Sequence, residues 1–239
     1  MQWDDTGYLI SKNKYNENSV VAEFFTSNHG KSTGIIFGST SKKTKSYLQL
    51  GNKLYLNYNY KNDNVIGYFK VEIYEANVPI YFENNKKLSC IVSAMNLIKL
   101  LTVESQSNHK IFELIEKLYV ILNFDDWVKE YIFWELKLLE LIGYNLEFDK
   151  IVKSEIVNKQ KLYFVQSNTE KKYVPNFFID RKIKNIDKST LSKGLKIVGD
   201  FLEKNVLKPN NINYPLARSE FINLFKWFYF KSLDILSAK

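Results

Sequence analysis

Lys53-Leu54-Tyr55-Leu56-Asn57-Tyr58-Asn59-Tyr60 alternates, with Leu54, Leu56, Tyr58 and Tyr60 on one face. A period of two is the mark of a half-buried strand. The run from Val65 to Tyr74 repeats it: Val65, Phe69, Val71 and Ile73 fall on one side, and Tyr68, Lys70 and Glu72 on the other. Asn62-Asp63-Asn64 between the two runs has turn chemistry, so a hairpin is expected. Towards the N-terminus, Gly7-Tyr8-Leu9-Ile10, Ser19-Val20-Val21-Ala22-Glu23-Phe24-Phe25 and Gly34-Ile35-Ile36-Phe37-Gly38 supply three more β segments. Five short strands so close together fit a small barrel, and the five-stranded OB-fold is the commonest host.

Beyond Pro79 the period changes to that of helices. Leu88, Ile91, Val92, Met95 and Ile98 share one face, as do Ile111, Leu114, Ile115 and Leu118. Trp127, Tyr131, Leu138 and Ile142 continue the pattern, with Asp125-Asp126 as cap candidates and Gly143 as a stop. Residues 150–187 are less regular; Lys161 to Val165 reads as a strand and Ser167-Asn168-Thr169 as a turn. Helical spacing returns at Leu191, Leu195, Val198 and Leu202, and a last helix is expected from Ala217 to Leu236. The fold class is α+β: a barrel domain over residues 1–80 and a mainly helical domain over residues 81–239.

Composition narrows the function. Of 239 residues, 45% are hydrophobic and 25% charged, as in a globular protein with a packed core. No apolar run is long enough to span a membrane, and the acidic N-terminus does not resemble a signal peptide, so a cytoplasmic protein is expected. One cysteine, Cys90, excludes an internal disulfide and a cysteine-based zinc site. Two histidines, His29 and His109, leave little for His-centred catalysis. No nucleophile motif, P-loop, dinucleotide loop or metal cluster stands out.

The net charge of +8 is carried by 32 lysines and only 2 arginines. It is uneven: +2 over residues 1–80, −4 over 81–149 and +10 over 150–239. A basic chain of this kind attracts nucleic acid. Gly38-Ser39-Thr40-Ser41-Lys42-Lys43-Thr44-Lys45-Ser46 reads as a loop whose lysines and hydroxyls suit phosphate oxygens. Lys31, and Lys12 and Lys14 on the first strand, extend that patch. Lys182, Lys184, Lys188, Lys193, Lys196, Lys204 and Lys208 form a second basic region with Arg181 and Arg218. Most barrel aromatics must fill the core; alternation puts Phe69 inside and Tyr68 outside.

Asp5-Thr6-Gly7-Tyr8-Leu9-Ile10, Asn16 to Ser19, Thr26 through His29-Gly30 and Gly34, and Leu48-Gln49-Leu50-Gly51 resemble, in order, segments of the bacterial recombination mediator family RecO. Trp134 to Tyr144 and Pro215-Leu216-Ala217-Arg218 extend the resemblance. The resemblance implies an OB-fold followed by a helical domain and no bond-breaking chemistry or cofactor. It implies binding of single- and double-stranded DNA, ATP-independent strand annealing, and help in loading RecA in DNA repair. The implied protein partners are RecR, the acidic C-terminal tail of single-stranded DNA-binding protein, and RecF. Lys42, Lys43 and Lys45 match the family's basic segment, and Arg218 its C-terminal arginine, which either contacts DNA or packs against a carboxylate. Many members hold zinc through four cysteines, the first falling near Ile151; this chain lacks them, so residues 151–174 must hold their shape by packing. The alternatives are an OB-fold protein for structured RNA and a metal-dependent nuclease using scattered acids.

Overall fold

The computed structural model describes residues 2–60, 65–158, 160–166 and 171–225. The first five strands close into a barrel in the order β1-β2-β3-β5-β4, with β1 (Gln2–Asn16), β2 (Ser19–Thr26), β3 (Gly30–Phe37), β4 (Lys53–Asn59) and β5 (Gly67–Glu75). This is the expected five-stranded, OB-like barrel. Strand β1 is longer than Gly7-Tyr8-Leu9-Ile10 alone, because it serves two neighbours. Its first half pairs with β4, from Gln2 opposite Asn59 to Tyr8 opposite Lys53. Its second half pairs with β2, and a register shift between Leu9 and Ser11 bends the strand from one partner to the other. The alternation places Leu9, Ala22, Phe24, Ile36, Leu54, Leu56 and Phe69 in one buried cluster, which Leu48 joins from the segment before β4.

The barrel closes where β3 meets β5 in parallel, with Gly34 opposite Gly67 and Ile35 opposite Tyr68. Two facing glycines are required there. A Cβ on Gly34 would lie 2.6 Å from the Phe69 ring, and one on Gly67 would lie 2.5 Å from the Tyr58 ring. The Tyr58 hydroxyl bridges the junction: it donates to the Thr33 carbonyl at 3.0 Å and accepts from the Gly67 N–H at 3.2 Å.

The segment between β3 and β4 is not all loop. A short helix, α1 (Lys42–Tyr47), forms there with Ser41 as its N-cap. Val65 precedes β5 and is exposed, and Asn62-Asp63-Asn64 lies outside the described residues.

The described residues form two compact units: residues 2–122 with 214–224, and residues 123–213 with Phe225. The first therefore includes α2 (Asn85–Leu101) and α3 (His109–Ile121) as well as the barrel. Both helices are capped by asparagine side chains, Asn84 and Asn108. Polar contacts fasten them to the strands: Lys99 to Glu23 at 2.7 Å and to Ser11 Oγ at 2.9 Å, and Lys53 to Glu116 at 2.7 Å. The last helix of this unit takes in residues 216–224, and the expected helix beyond Phe225 lies outside the described residues.

The second unit contains α4 (Trp127–Leu141), the single turn α5 (Phe148–Ile151) and α6 (Lys188–Leu202), with α4 packed on α6. Residues 151–174 hold a three-stranded antiparallel sheet of β6 (Lys153–Val157), β7 (Gln160–Gln166) and β8 (Lys171–Val174). Packing holds it. Phe164 and Val174 are buried, the Phe164 and Tyr173 rings meet edge to face, and Lys171 pairs with Glu155. Ser167-Asn168-Thr169 lies outside the described residues. Among the described residues, no helix is long and apolar enough to cross a membrane.

Candidate nucleic-acid interface

The strongest concentration of exposed cations on the barrel lies on and beside α1. Lys42, Lys43 and Lys45 are all exposed. The segment that carries them is fixed at both ends. The Ser39 N–H donates to the Asn18 carbonyl at 3.2 Å and Thr40 Oγ1 donates to Asn18 Oδ1 at 2.5 Å, tying it to the β1–β2 turn. At the far end Tyr47, Leu48 and Leu50 pack against the barrel core. The hydroxyls singled out in the sequence are largely used locally. Ser41 Oγ accepts from the Thr44 N–H at 3.1 Å, and Ser46 Oγ donates to the Lys43 carbonyl at 2.7 Å. The ammonium groups are therefore the part of this segment that faces outwards.

Lys12 joins this group. Its Nζ donates to the Leu48 carbonyl, immediately after α1. Burial pulls the Lys12 ammonium below the usual lysine range, and the positive charge of Lys45 lowers it further. An ammonium that feels its neighbour's charge marks a place where an anion would relieve repulsion. Lys14 is exposed two residues along β1, on the same side of the strand as Lys12.

The other two residues are placed differently. Lys31 reaches the C-terminus of α2, where its Nζ donates to the carbonyls of Lys99 at 3.0 Å and Thr102 at 2.6 Å. A cation there satisfies carbonyls that the helix itself leaves without partners. Arg218 is fully buried, and its guanidinium donates to the Tyr214 hydroxyl. A side chain with no exposed surface offers nothing to a phosphate.

In the second unit Lys182, Lys184, Lys188, Lys193, Lys196, Lys204 and Lys208 are all exposed. A cleft of about 630 Å³ opens between β8 and the start of α6. Leu162, Val174, Phe177 and Ile186 line its floor, and Lys184 and Lys193 stand at its rim. No sequence pattern singles out these residues, because they come from β7, β8, the turn that follows it, the segment before α6 and α6 itself. Among the described residues, no group of three or more His, Cys, Asp or Glu side chains could hold a metal ion.

The family model for the recombination protein O N-terminal region matches residues 1–76, and that for its C-terminal region matches residues 83–211. The chain belongs to the RecO family. Similar proteins include the DNA repair protein RecO of Rhodospirillum centenum, 22% identical with 95% of each chain covered. The protein of that name from Wolbachia pipientis of Culex pipiens is 26% identical, with 92% of this chain and 97% of that one covered. That of Ehrlichia chaffeensis is 24% identical, with 94% and 98% covered. A solved asparaginyl-tRNA synthetase of Entamoeba histolytica aligns with 88% of this chain and 56% of its own at 13% identity. Its TM-score of 0.28 is too low to bear on the fold, which rests on the strand order itself. RecO is a family of recombination mediators without catalytic chemistry. Its N-terminal match covers all five barrel strands, and Arg218 lies beyond its C-terminal match.

Proposed function

We propose that this RecO protein binds single- and double-stranded DNA through lysine surfaces and anneals complementary strands without ATP, acting in the cytoplasm at the nucleoid. The observation that carries this reading is the cluster of Lys42, Lys43 and Lys45 on α1 with Lys12 beside it. The +10 excess over residues 150–239 supplies a second holding surface. Each strand loses backbone repulsion when its phosphates lie on ammonium groups, and complementary bases can then meet. No bond is made or broken. Lysine supplies charge without the fixed two-pronged geometry of arginine, so the grip is sequence-neutral and salt-sensitive. Lys31 and Arg218 are left out of this surface, the first as the cap of α2 and the second as a buried structural group.

The rim of lysines over an apolar floor near α6 suits an acidic peptide ending in an apolar residue, the chemistry of the single-stranded DNA-binding protein tail. RecR, RecF and RecA are partners that family membership suggests.

The test is a titration of DNA affinity against salt for the wild-type protein and for the Lys42→Ala/Lys43→Ala/Lys45→Ala variant. Counterion release contributes about 0.7 to the log–log slope per phosphate on a single strand and about 0.9 on a duplex. The variant is expected to bind more weakly and to lose about 2 from its single-strand slope. Unchanged affinity and slope would remove α1 from the mechanism.

A further inference from the structure

Phe37 is 60% exposed and Tyr68 is 38% exposed, while the neighbouring barrel rings Phe24 and Phe69 are buried. The two exposed rings sit on adjacent strands across the parallel β3–β5 junction, where Ile35 is opposite Tyr68. Their centroids are 6.1 Å apart and their planes tilt by 55°. In β3 the side chains alternate, so Ile36 points into the core and Phe37 points out. An aromatic residue at such an outward position leaves apolar surface in water, where a polar one would not.

These rings adjoin the lysine segment. Phe37 is the last residue of β3. Gly38 follows with a left-handed φ of +69°, and the chain turns there through Ser39, Thr40 and Ser41 into α1, which packs against β5. Continuing the parallel register puts Phe37 level with Lys70, whose side chain is exposed on the same face of β5 as that of Tyr68. Glu72 is the acidic neighbour two residues further on that face.

Lysines hold a phosphate backbone whether its bases are paired or not. Rings discriminate, because bases inside a duplex are already stacked on one another and only unpaired bases offer a face. We propose that Phe37 and Tyr68 form a stacking platform for unpaired nucleobases of a single strand whose phosphates lie on the α1 lysines. This rests on the reading of α1 as a backbone-binding segment and adds to it a preference for single strands. It also suits annealing: a base held on a side-chain ring keeps its pairing edge exposed.

The experiment compares binding of a short oligo(dT) strand and of a duplex of equal length across a series of salt concentrations. The proteins are the wild type, Phe37→Ala/Tyr68→Ala, Phe37→Leu/Tyr68→Leu, Phe37→Tyr/Tyr68→Phe and the α1 lysine triple. Stacking on an aromatic side chain predicts a loss of about tenfold or more in single-strand affinity for the alanine and leucine doubles. Their duplex affinity and salt slope stay at wild-type values, and the ring-retaining swap binds both ligands as the wild type does. The leucine double keeps apolar bulk, so a loss there is specific to the rings and not to folding. Wild-type single-strand affinity in the alanine double, or equal weakening towards strand and duplex, overturns the platform. Failure of the α1 reading appears separately, as an unchanged slope in the lysine triple on the same two ligands.

Discussion

The Asp5 carboxylate collects four hydrogen bonds: from the backbone N–H groups of Thr6 and Asn28, both at 2.8 Å, from Asn28 Nδ2 at 3.0 Å and from His29 Nδ1 at 2.8 Å. The His29 ring is in turn stacked on Trp3 with centroids 4.0 Å apart. Burial pushes the Asp5 carboxyl up, but the bonds from His29, Asn28 and Thr6 outweigh it and hold the group below its ordinary 3.8. A carboxyl lowered in the folded state contributes stability that is complete above its unfolded value and fades as pH falls through the folded one. Asp5→Asn is therefore expected to lower stability at neutral pH by on the order of 1 kcal/mol. It should also reduce the loss between neutral pH and pH values below that ordinary value, as measured by urea unfolding at both. At the barrel junction, Gly34→Ala meets the Phe69 ring at 2.6 Å and the Tyr58 ring at 2.9 Å. Overpacking of this kind costs about 1–3 kcal/mol, read as a lower urea midpoint with an unchanged slope. Single residues are also where sequence reading reached its limit. Lys31 and Lys43 look alike in a string, yet one caps α2 and the other faces solvent. Which carbonyls lie within reach of an ammonium depends on segments far apart in the chain, here Lys31 and Thr102.

Elements were legible in proportion to their one-sided burial. β4 and β5 each bury one face, so alternation marks them, and α2, α3 and α6 show themselves by apolar residues three and four apart. By contrast, α1 buries none of its six residues and carries no apolar stripe, so its Ser, Thr and Lys content reads as loop. The sheet β6–β8 is mostly exposed on both faces, and its first strand shows no alternation to read. Capping also acts at this scale. Asp187 starts α6, accepting from the Thr190 N–H at 2.9 Å, and its bonds from Thr190 hold its carboxyl below the ordinary range. The same carboxylate lines the cleft between Lys184 and Lys193, where it opposes an acidic ligand. Asparagine caps a helix about as well as aspartate but carries no charge. Asp187→Asn is therefore expected to leave the melting temperature within a few degrees, since caps of equal rank differ by only a few tenths of a kcal/mol. It should tighten binding of an acidic peptide ending in phenylalanine severalfold, measured by fluorescence anisotropy. Lys184→Glu/Lys193→Glu should abolish that binding, and if neither variant moves the peptide affinity the cleft is not its site.

For the whole molecule, the proposed annealing asks more than binding does. One lysine surface is enough to hold a strand, but two complementary strands must be present on one chain at once. Two holding surfaces on a single chain raise the effective concentration of one strand around the other, without any fixed orientation between them. The charge distribution provides two candidate surfaces, α1 with Lys12 and the +10 stretch over residues 150–239, separated by an acidic −4 stretch over 81–149. Loss of either surface should then affect the two activities unequally. The Lys42→Ala/Lys43→Ala/Lys45→Ala protein keeps the second surface, so its single-strand affinity falls only in part, whereas its annealing rate falls towards that of protein-free DNA. Reversing charge on the exposed lysines of α6 with Lys193→Glu/Lys196→Glu should do the same from the other side. Stopped-flow annealing of complementary labelled strands, run at protein concentrations that saturate one strand, separates the two effects. If annealing in each variant tracks its single-strand occupancy, with no extra loss, one surface suffices and the two-surface mechanism is wrong. Added salt gives an independent reading: with two electrostatic contacts in series, the annealing rate should fall more steeply with salt than the affinity for either strand alone.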